Sequence, residues 1–344
     1  MNIPDELDGP PGLDDGDSDV DGFDHSLRAA DYSRPEAAPL RLPVPVSLGG
    51  QRLDVALASL LPGHSRSRLQ GWVRDGRVQV DGKVVAEVKI RLAGDETLLV
   101  EPQVAPETLA FAPEAIDFPV IYEDAEIAIV DKPAGLVVHP GSGNWSGTLM
   151  NALLHRYPET ALLPRAGIVH RLDKDTSGLM VVARTATAQT DLVRQLQART
   201  VKRQYLAVVI GHPAQTSGSI DAPIGRHPTQ RTKMAIIETG KPARTHWRLL
   251  ELLKGASVLR CDLDTGRTHQ IRVHMASLRL SLVGDPLYRG RAQGPVFPRQ
   301  ALHAERLGLL HPSTRQALEW QSPLPEDIAD LIDSLRPEED GEWT

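Results

Sequence analysis

An α+β chain is predicted, with a mixed, largely antiparallel central sheet and flanking helices, preceded by a small helix–helix–hairpin unit. Three observations predict it. Strand-like and helix-like segments are interspersed along the 344 residues rather than segregated. Successive strands are often joined by short turns, which favours antiparallel neighbours over a doubly wound parallel sheet. Composition also changes twice, near residue 42 and across a Pro-containing stretch at 102–115, dividing the chain into an arm, a small unit and a larger one.

Residues 1–42 are rich in Asp, Pro and Gly and hold few large apolar side chains. Such a segment buries too little surface to offset its ordering entropy, so it is expected to be disordered. Within residues 1–38, eleven acidic side chains face only Arg28 and Arg34, a charge of −9. The remaining 306 residues hold 36 basic and 34 acidic groups, a charge of +2. The overall −7 therefore does not exclude a polyanionic partner for the folded part. The chain closes on an acidic tail at 335–344. Cys261 is the one cysteine, which excludes an intrachain disulfide framework and a Cys-based zinc site. No apolar run approaches the roughly 18 residues needed to span a bilayer. The start lacks the basic and apolar regions of a secretory signal, so a cytoplasmic protein with no membrane partner is expected.

The small unit is placed at 46–101. Leu53, Val55, Ala56, Leu57, Leu60 and Leu61 give a short helix ending near Pro62-Gly63. Ser65 can cap a second helix, with Leu69, Trp72 and Val73 on one face and Gly76 past its end. Arg77 to Val80 alternates, Asp81-Gly82 signals a tight turn, and Lys83 to Val85 returns. Arg52, Arg66, Arg68, Arg74 and Arg77 cluster around the second helix with few acids among them. That pattern suits a phosphate-contacting face, or simply a solvated one.

The large unit is placed at 116–334. Strands are expected over Glu126–Val130, Leu136–Val138, Leu179–Ala183 and Tyr205–Ile210, with a hairpin pair at Thr245–Leu250 and Val258–Leu263. Late strands are expected at Ala301–Leu310 and Ala317–Gln321. Thr148–Tyr157 and His269–Leu278 read as helices, and Thr185 caps another that carries Leu192, Val193 and Leu196.

Several chemistries are absent from the sequence. It has no G-x-x-x-x-G-K-[ST] phosphate loop, no H-E-x-x-H helix and no G-x-S-x-G elbow. His269 and His274 lie five apart, a poor spacing for chelation from one helix face. Two polar clusters stand out. Gly167 to Gly178 is a tight loop between buried segments, and its Asp and Ser/Thr residues also suit plain turn formation. Asp264 to His274 opens a helix after a strand. A carboxylate loop and an Arg-bearing helix start, both beside core strands, point to an ion pair in a cleft. Asp173 and Asp175 alternate on an extended segment, which argues against a cooperating glycosidase pair.

The run His170-Arg171-Leu172-Asp173-Lys174-Asp175-Thr176-Ser177-Gly178-Leu179 resembles the signature of the RluA family of RNA pseudouridine synthases. Lys202-Arg203-Gln204-Tyr205 resembles that family's second motif and Gly266 to His274 its third. Asp131 to Gly135 and Arg299 to Ala304 add to the likeness, and residues 50–100 resemble an S4 RNA-binding module. Gln204, where an acid is common, and Leu280-Ser281 depart from the pattern.

The resemblance implies a pseudouridine synthase fold that converts uridine to pseudouridine without cofactor or metal. It implies Asp173 as the catalytic aspartate, Arg272 as its partner and Tyr205 as the aromatic stacked on the target base. Arg171 would fill the place of the extruded base, and His170 and Ile271 would lie behind these groups. Arg52, Arg66 and Arg68 would contact RNA. Pro164-Arg165-Ala166-Gly167 and Arg226 to Arg231 resemble the subgroup acting on the helix 69 hairpin of 23S ribosomal RNA in the large subunit or its precursor. A monomer that requires no protein partner is expected. A non-catalytic S4-type RNA-binding or ribosome-assembly protein is the alternative, and retention of Asp173, Tyr205 and Arg272 speaks against it.

Overall fold

The computed structural model describes residues 38–102, 110–141, 144–230, 232–289 and 293–337. The chain divides into two compact units between Ala112 and Pro113. The acidic arm over 1–37, the middle of the linker and the end of the acidic tail lie outside the described residues.

The first unit runs β1 (Leu40–Pro43), α1 (Leu53–Leu60), α2 (Arg66–Arg74), β2 (Val78–Val80), β3 (Lys83–Val84) and β4 (Thr97–Val100). Its antiparallel sheet has the order β1-β4-β2-β3. Leu53 and Leu57 of α1 and Leu69, Trp72 and Val73 of α2 pack onto Val78, Leu98 and Val100, all buried. Ser65 caps α2, its Oγ accepting from the Arg68 amide. Asp81 and Gly82 take φ of 48° and 78°, the backbone a two-residue hairpin turn requires.

The expected disorder to residue 42 is corrected. Leu40–Pro43 is an edge strand paired with Thr97–Val100, and Leu40 and Leu42 alternate onto the core. Four residues with two apolar side chains are too short a signal to separate from the acidic arm. The linker expected to 115 also ends earlier, because the Glu114 amide donates to Asn151 O and its carboxylate accepts from the Gly147 amide.

The second unit contains β5 (Val120–Glu123), β6 (Ile127–Lys132), α3 (Leu149–Arg156), β7 (Ser177–Ala183), α4 (Ala186–Gln197) and β8 (Lys202–Ile210). Then follow β9 (Ser217–Asp221), β10 (Ile224–Arg226), β11 (Met234–Ile236), β12 (Arg244–Leu253) and β13 (Ala256–Leu263). It closes with α5 (Gln270–Ser277), β14 (Leu302–Leu310), β15 (Ala317–Gln321) and α6 (Glu326–Leu335). The main sheet has the order β5-β6-β7-β14-β8-β13-β12-β9, with β15 beside β14. Every pair is antiparallel except β7–β14, so the sheet is mixed as expected.

All seven residues of β7 are buried, as a central strand covered on both faces requires. Ala188 and Leu192 of α4 pack on Ile127, Ile129, Leu179 and Val181. Ile328, Leu331 and Ile332 of α6 pack on Val208, Ile210 and Val258. Tyr205, Ala207 and Val209 alternate with Val208 and Ile210, so they belong to the opposite face.

One expected strand is absent. Leu136–Val138 makes a single bridge from Val137 to Thr148, and the carbonyls of Val137 and Val138 accept from the amides of Leu149 and Met150. The first turn of a helix has unpaired amides, and this run satisfies those of α3 instead of joining the sheet. No helix among the described residues is long and apolar enough to cross a membrane.

Candidate active site

A row of paired residues crosses the sheet: Lys132 on β6, Gly178 on β7, Ala304 on β14, Tyr205 on β8, Cys261 on β13 and Trp247 on β12. Directly paired residues share a face, so Lys132, Tyr205 and Trp247 stand on one side of the sheet. Between Lys132 and Tyr205 the row carries only glycine and alanine, which keeps the sheet surface low. Gly178 is obligatory at this point: its φ is 113°, and a Cβ would lie 2.3 Å from the Ala304 carbonyl oxygen.

The loop before β7 crosses this region and is tied down residue by residue. Gly167 (φ 79°) lets the chain press against β7, where a Cβ would meet Ala183 O at 1.8 Å. His170 is buried, and its Nε2 accepts from the Val181 amide at 3.1 Å. Burial and the nearby Arg203 push its pKa down to about 3, so it is a neutral anchor. Lys132 Nζ, fully buried, donates to the carbonyls of Pro133, Leu136 and Lys174 at 2.8, 3.0 and 2.9 Å. Burial drives its pKa down to about 7, against the pull of Asp173 and Asp175. Arg299 Nη1 donates to Asp175 O at 3.0 Å while its Nε and Nη2 grip both Asp327 oxygens. Gln300 Nε2 donates to Thr176 Oγ1, and Ser177 pairs with His303.

Asp173, at the head of this loop, meets α5. Arg272 Nη1 donates to Asp173 Oδ2 at 2.9 Å, and its Nε and Nη2 take both oxygens of Asp285 at 2.8 and 3.0 Å. The Arg272 side chain is 4% exposed, Asp285 0% and Asp173 15%, so only Asp173 keeps an open side. Asp285 also accepts from the Leu287 and Tyr288 amides at 2.8 and 3.0 Å. Burial opposes the Arg272 charge, but its bonds to Asp285 and Asp173 outweigh it and hold the guanidinium above its ordinary value. Burial likewise opposes the Asp285 charge, and Arg272 with the two amides keeps its carboxyl below the usual range.

The helix that delivers Arg272 is itself locked to the sheet. Gln270 Nε2 donates to Arg244 O and Thr245 Oγ1, and Gln270 Oε1 accepts from the Arg267 amide. One turn later His274 bridges Thr245 Oγ1 and Ala222 O at 2.8 and 3.0 Å. Thr245 and Trp247 are alternate residues of β12, so α5 lies over the face that carries Tyr205.

The structure thus brings together Asp173 and Arg272, and places Tyr205, 6% exposed, on the same face of the sheet. Ile271 is buried beside Arg272, and Arg171 is exposed beside the loop. Arg52 and Arg66 are placed differently from the expectation of open phosphate ligands. Both grip the fully buried carboxylate of Asp54: Arg52 at 3.0 Å through Nε and Nη2, Arg66 at 3.1 and 2.8 Å through Nε and Nη2, with Gln70 adding a fifth donor at 2.7 Å. Their side chains nevertheless remain 37% and 52% exposed, and Arg68 is half-buried on the same helix as Arg66.

Sequence reasoning gave no role to Asp54, Lys132, Asp285 or Arg299. A carboxylate between Leu53 and Val55 in an apolar helix was a signal for Asp54. The resemblance marked the stretches around Lys132 and Arg299 but not their roles, since each of the others acts on a partner brought close only by folding.

Residues 126–277 match the RNA pseudouridylate synthase family, and residues 51–98 match the S4 domain. The chain is 50% identical to "Ribosomal large subunit pseudouridine synthase D" of Nitrosomonas europaea, over 93% of this chain and 95% of that one. It is 53% identical to the protein of the same name from Pseudomonas aeruginosa, over 85% of this chain and 94% of that one. Among solved structures, human RNA Pseudouridylate Synthase Domain Containing 1 is similar at 28% identity and a TM-score of 0.49, covering 67% of this chain and 98% of its own. Its sequence relatives, with a buried arginine set against a half-open aspartate, identify this chain as a member of the RNA pseudouridine synthase family, an isomerase joined to an S4 domain.

Proposed function

We propose that the chain isomerises uridine to pseudouridine in 23S ribosomal RNA of the large subunit, at the helix 69 hairpin, with Asp173 as the catalytic carboxylate. The relatives' names support the ribosomal substrate, and the sequence likeness of Pro164 to Gly167 and of Arg226 to Arg231 supports the hairpin. The observation that carries the reading is the Asp173–Arg272 pair, in which one oxygen is held by a buried cation while the carboxylate keeps an open side.

The reaction breaks the N1–C1′ bond, turns the uracil and joins C5 to C1′. Atoms and electrons balance within the nucleotide, so no redox partner enters. Asp173 either attacks C1′ or removes the 2′ proton to give a glycal; both need an ionised carboxylate against the ribose. The buried Arg272 guanidinium holds one of the Asp173 oxygens at 2.9 Å. Tyr205, with Ala207 and Val209 on its face, stacks on the uracil and relays the C5 proton. The nucleotide must first leave its stack, which costs a few kcal/mol. Arg171 fills the vacated place, since a guanidinium stacks on bases and also bonds phosphate. His170 and Ile271 support these groups from behind. Arg52, Arg66 and Arg68 present the S4 unit's positive surface to the RNA backbone.

Asp173→Asn tests this directly. It keeps an acceptor for Arg272 but removes the charge, so single-turnover product on a helix 69 hairpin RNA should vanish while RNA affinity stays near that of the wild type. Undiminished product from the variant would overturn the assignment.

A further inference from the structure

The two oxygens of Asp173 have different neighbours. Oδ2 accepts from Arg272, whereas Oδ1 faces His269 Nε2 at 3.9 Å. His269 caps α5 in the left-handed region (φ 57°, ψ 21°), a backbone state that few residues other than glycine adopt. Its other ring nitrogen, Nδ1, lies 2.7 Å from the Tyr288 hydroxyl. That hydroxyl oxygen already accepts from the Met234 amide on β11 at 2.7 Å. Where the hydroxyl gives its own proton to His269 Nδ1, the ring proton lies on Nε2, the nitrogen turned toward Asp173.

Tyr288 also fixes the neighbouring groups in place. Its ring meets His269 edge-on at 5.6 Å and 77°, and the Arg272 guanidinium lies 5.1 Å from its centroid. One tyrosine therefore touches both His269 and Arg272, which face the two oxygens of Asp173.

Resting on the pseudouridine synthase reading above, we infer that His269 is a positioning residue for Asp173, held by Tyr288 as the Nε2–H tautomer and donating to the carboxylate oxygen that Arg272 leaves unbound. Burial pushes the His269 pKa down, and Arg272 and Arg171 act in the same direction against Asp173 and Asp285, so the ring is neutral near pH 7. A neutral donor orients the carboxylate while withdrawing less of its charge than a second cation would. At 3.9 Å the approach is open; hydrogen bonds of this kind commonly tighten only when substrate is bound. The Met234–Tyr288–His269 chain thus ties the β10–β11 hairpin to the orientation of the reactive group.

The test uses the full chain as wild type, His269→Ala, His269→Gln and Tyr288→Phe. Single-turnover rates and RNA affinities are measured on the hairpin RNA, and ring-nitrogen NMR of the free protein reads the His269 tautomer. His269→Ala should slow the chemical step about 10- to 100-fold, as loss of a hydrogen bond to a charged group does, with RNA affinity unchanged within about twofold. His269→Gln, which keeps a donor, should recover much of that loss. Wild-type His269 should carry its proton on Nε2, and Tyr288→Phe should spread it over both nitrogens. An Nδ1–H tautomer in the wild type, or wild-type rates in both His269 variants, overturns the inference. A wild-type protein that makes no pseudouridine would instead refute the reading of function, and the tautomer measurement stands apart from it.

Discussion

Replacing Arg272 by Gln probes the charge network at its centre. The guanidinium is 4% exposed and holds two carboxylates, one of them, Asp285, with no exposed side-chain surface. At 2.9 Å and an effective dielectric of about 20, one such pair attracts by about 6 kcal/mol before desolvation is charged against it. The measured cost of removing one partner from a buried pair is smaller, about 3–5 kcal/mol, because it is dominated by the charge left behind. That charge is Asp285, which keeps only the Leu287 and Tyr288 amides; Asp173 can turn to water on its open side. For a unit of this size the loss corresponds to a fall in Tm of about 6–20 °C.

The assay is thermal unfolding of Arg272→Gln, Asp285→Asn and the double variant. Asn at 285 still offers an acceptor to the two amides but carries no charge. The double variant should therefore be no less stable than Arg272→Gln alone, and the sum of the two single losses should exceed the double loss by about 0.5–3 kcal/mol, a coupling that independent sites would not show. Pseudouridine formation should stay lost in the double variant, since Asp173 lacks its cation in both. Additive destabilisation, or an Arg272→Gln protein that melts within about 2 °C of the wild type, would refute the reasoning.

Three further outcomes are expected. Gly178→Ala should destabilise the fold by more than about 4 kcal/mol, because the new Cβ meets Ala304 O at 2.3 Å on a positive-φ backbone; a wild-type urea midpoint would contradict the packing described for β7 and β14. Asp124 is held at about 2 because bonds from Tyr122, the Ile127 and Glu126 amides and His311 outweigh its burial. Its folded pKa is depressed, so the stability it contributes is present above its ordinary value of 3.8 and lost as pH falls through about 2. At most about 2 kcal/mol is involved, and Asp124→Asn should flatten the acid limb of stability measured between about pH 4 and pH 2. Replacing Arg66 and Arg68 by Gln together should weaken RNA binding and reduce its logarithmic salt slope by about 0.7–0.9 for each phosphate no longer neutralised; an unchanged slope would remove the S4 unit from the RNA interface.

Local features were legible wherever the physics is local. Ser65 and Thr185 each cap the helix expected of them, and Thr148, expected as the first residue of its helix, caps it instead, because a cap needs only an oxygen three residues from an amide. Asp81-Gly82 turned the expected hairpin. The C-terminal helix carried its own signal, Ile328, Leu331, Ile332 and Leu335 at helical spacing, which the sequence reading passed over. The edge strands Leu40–Pro43, Val120–Glu123 and Ser217–Asp221 were not legible, since each is four or five residues long with mixed burial and exists only because a partner strand lies beside it.

By itself the sequence determined the α+β class, the two-part division and, through its motifs, the identity of Asp173, Tyr205 and Arg272 as residues to watch. Only the tertiary structure decided what those residues can do. Asp173 and Arg272 are 99 residues apart, and the side chains that fix them come from β6 (Lys132), the loop after α5 (Asp285 and Tyr288) and the loop before β14 (Arg299). Sequence patterns report periodicity over a few turns of chain. A charge acquires its chemistry from neighbours and from the loss of water, and folding alone supplies both.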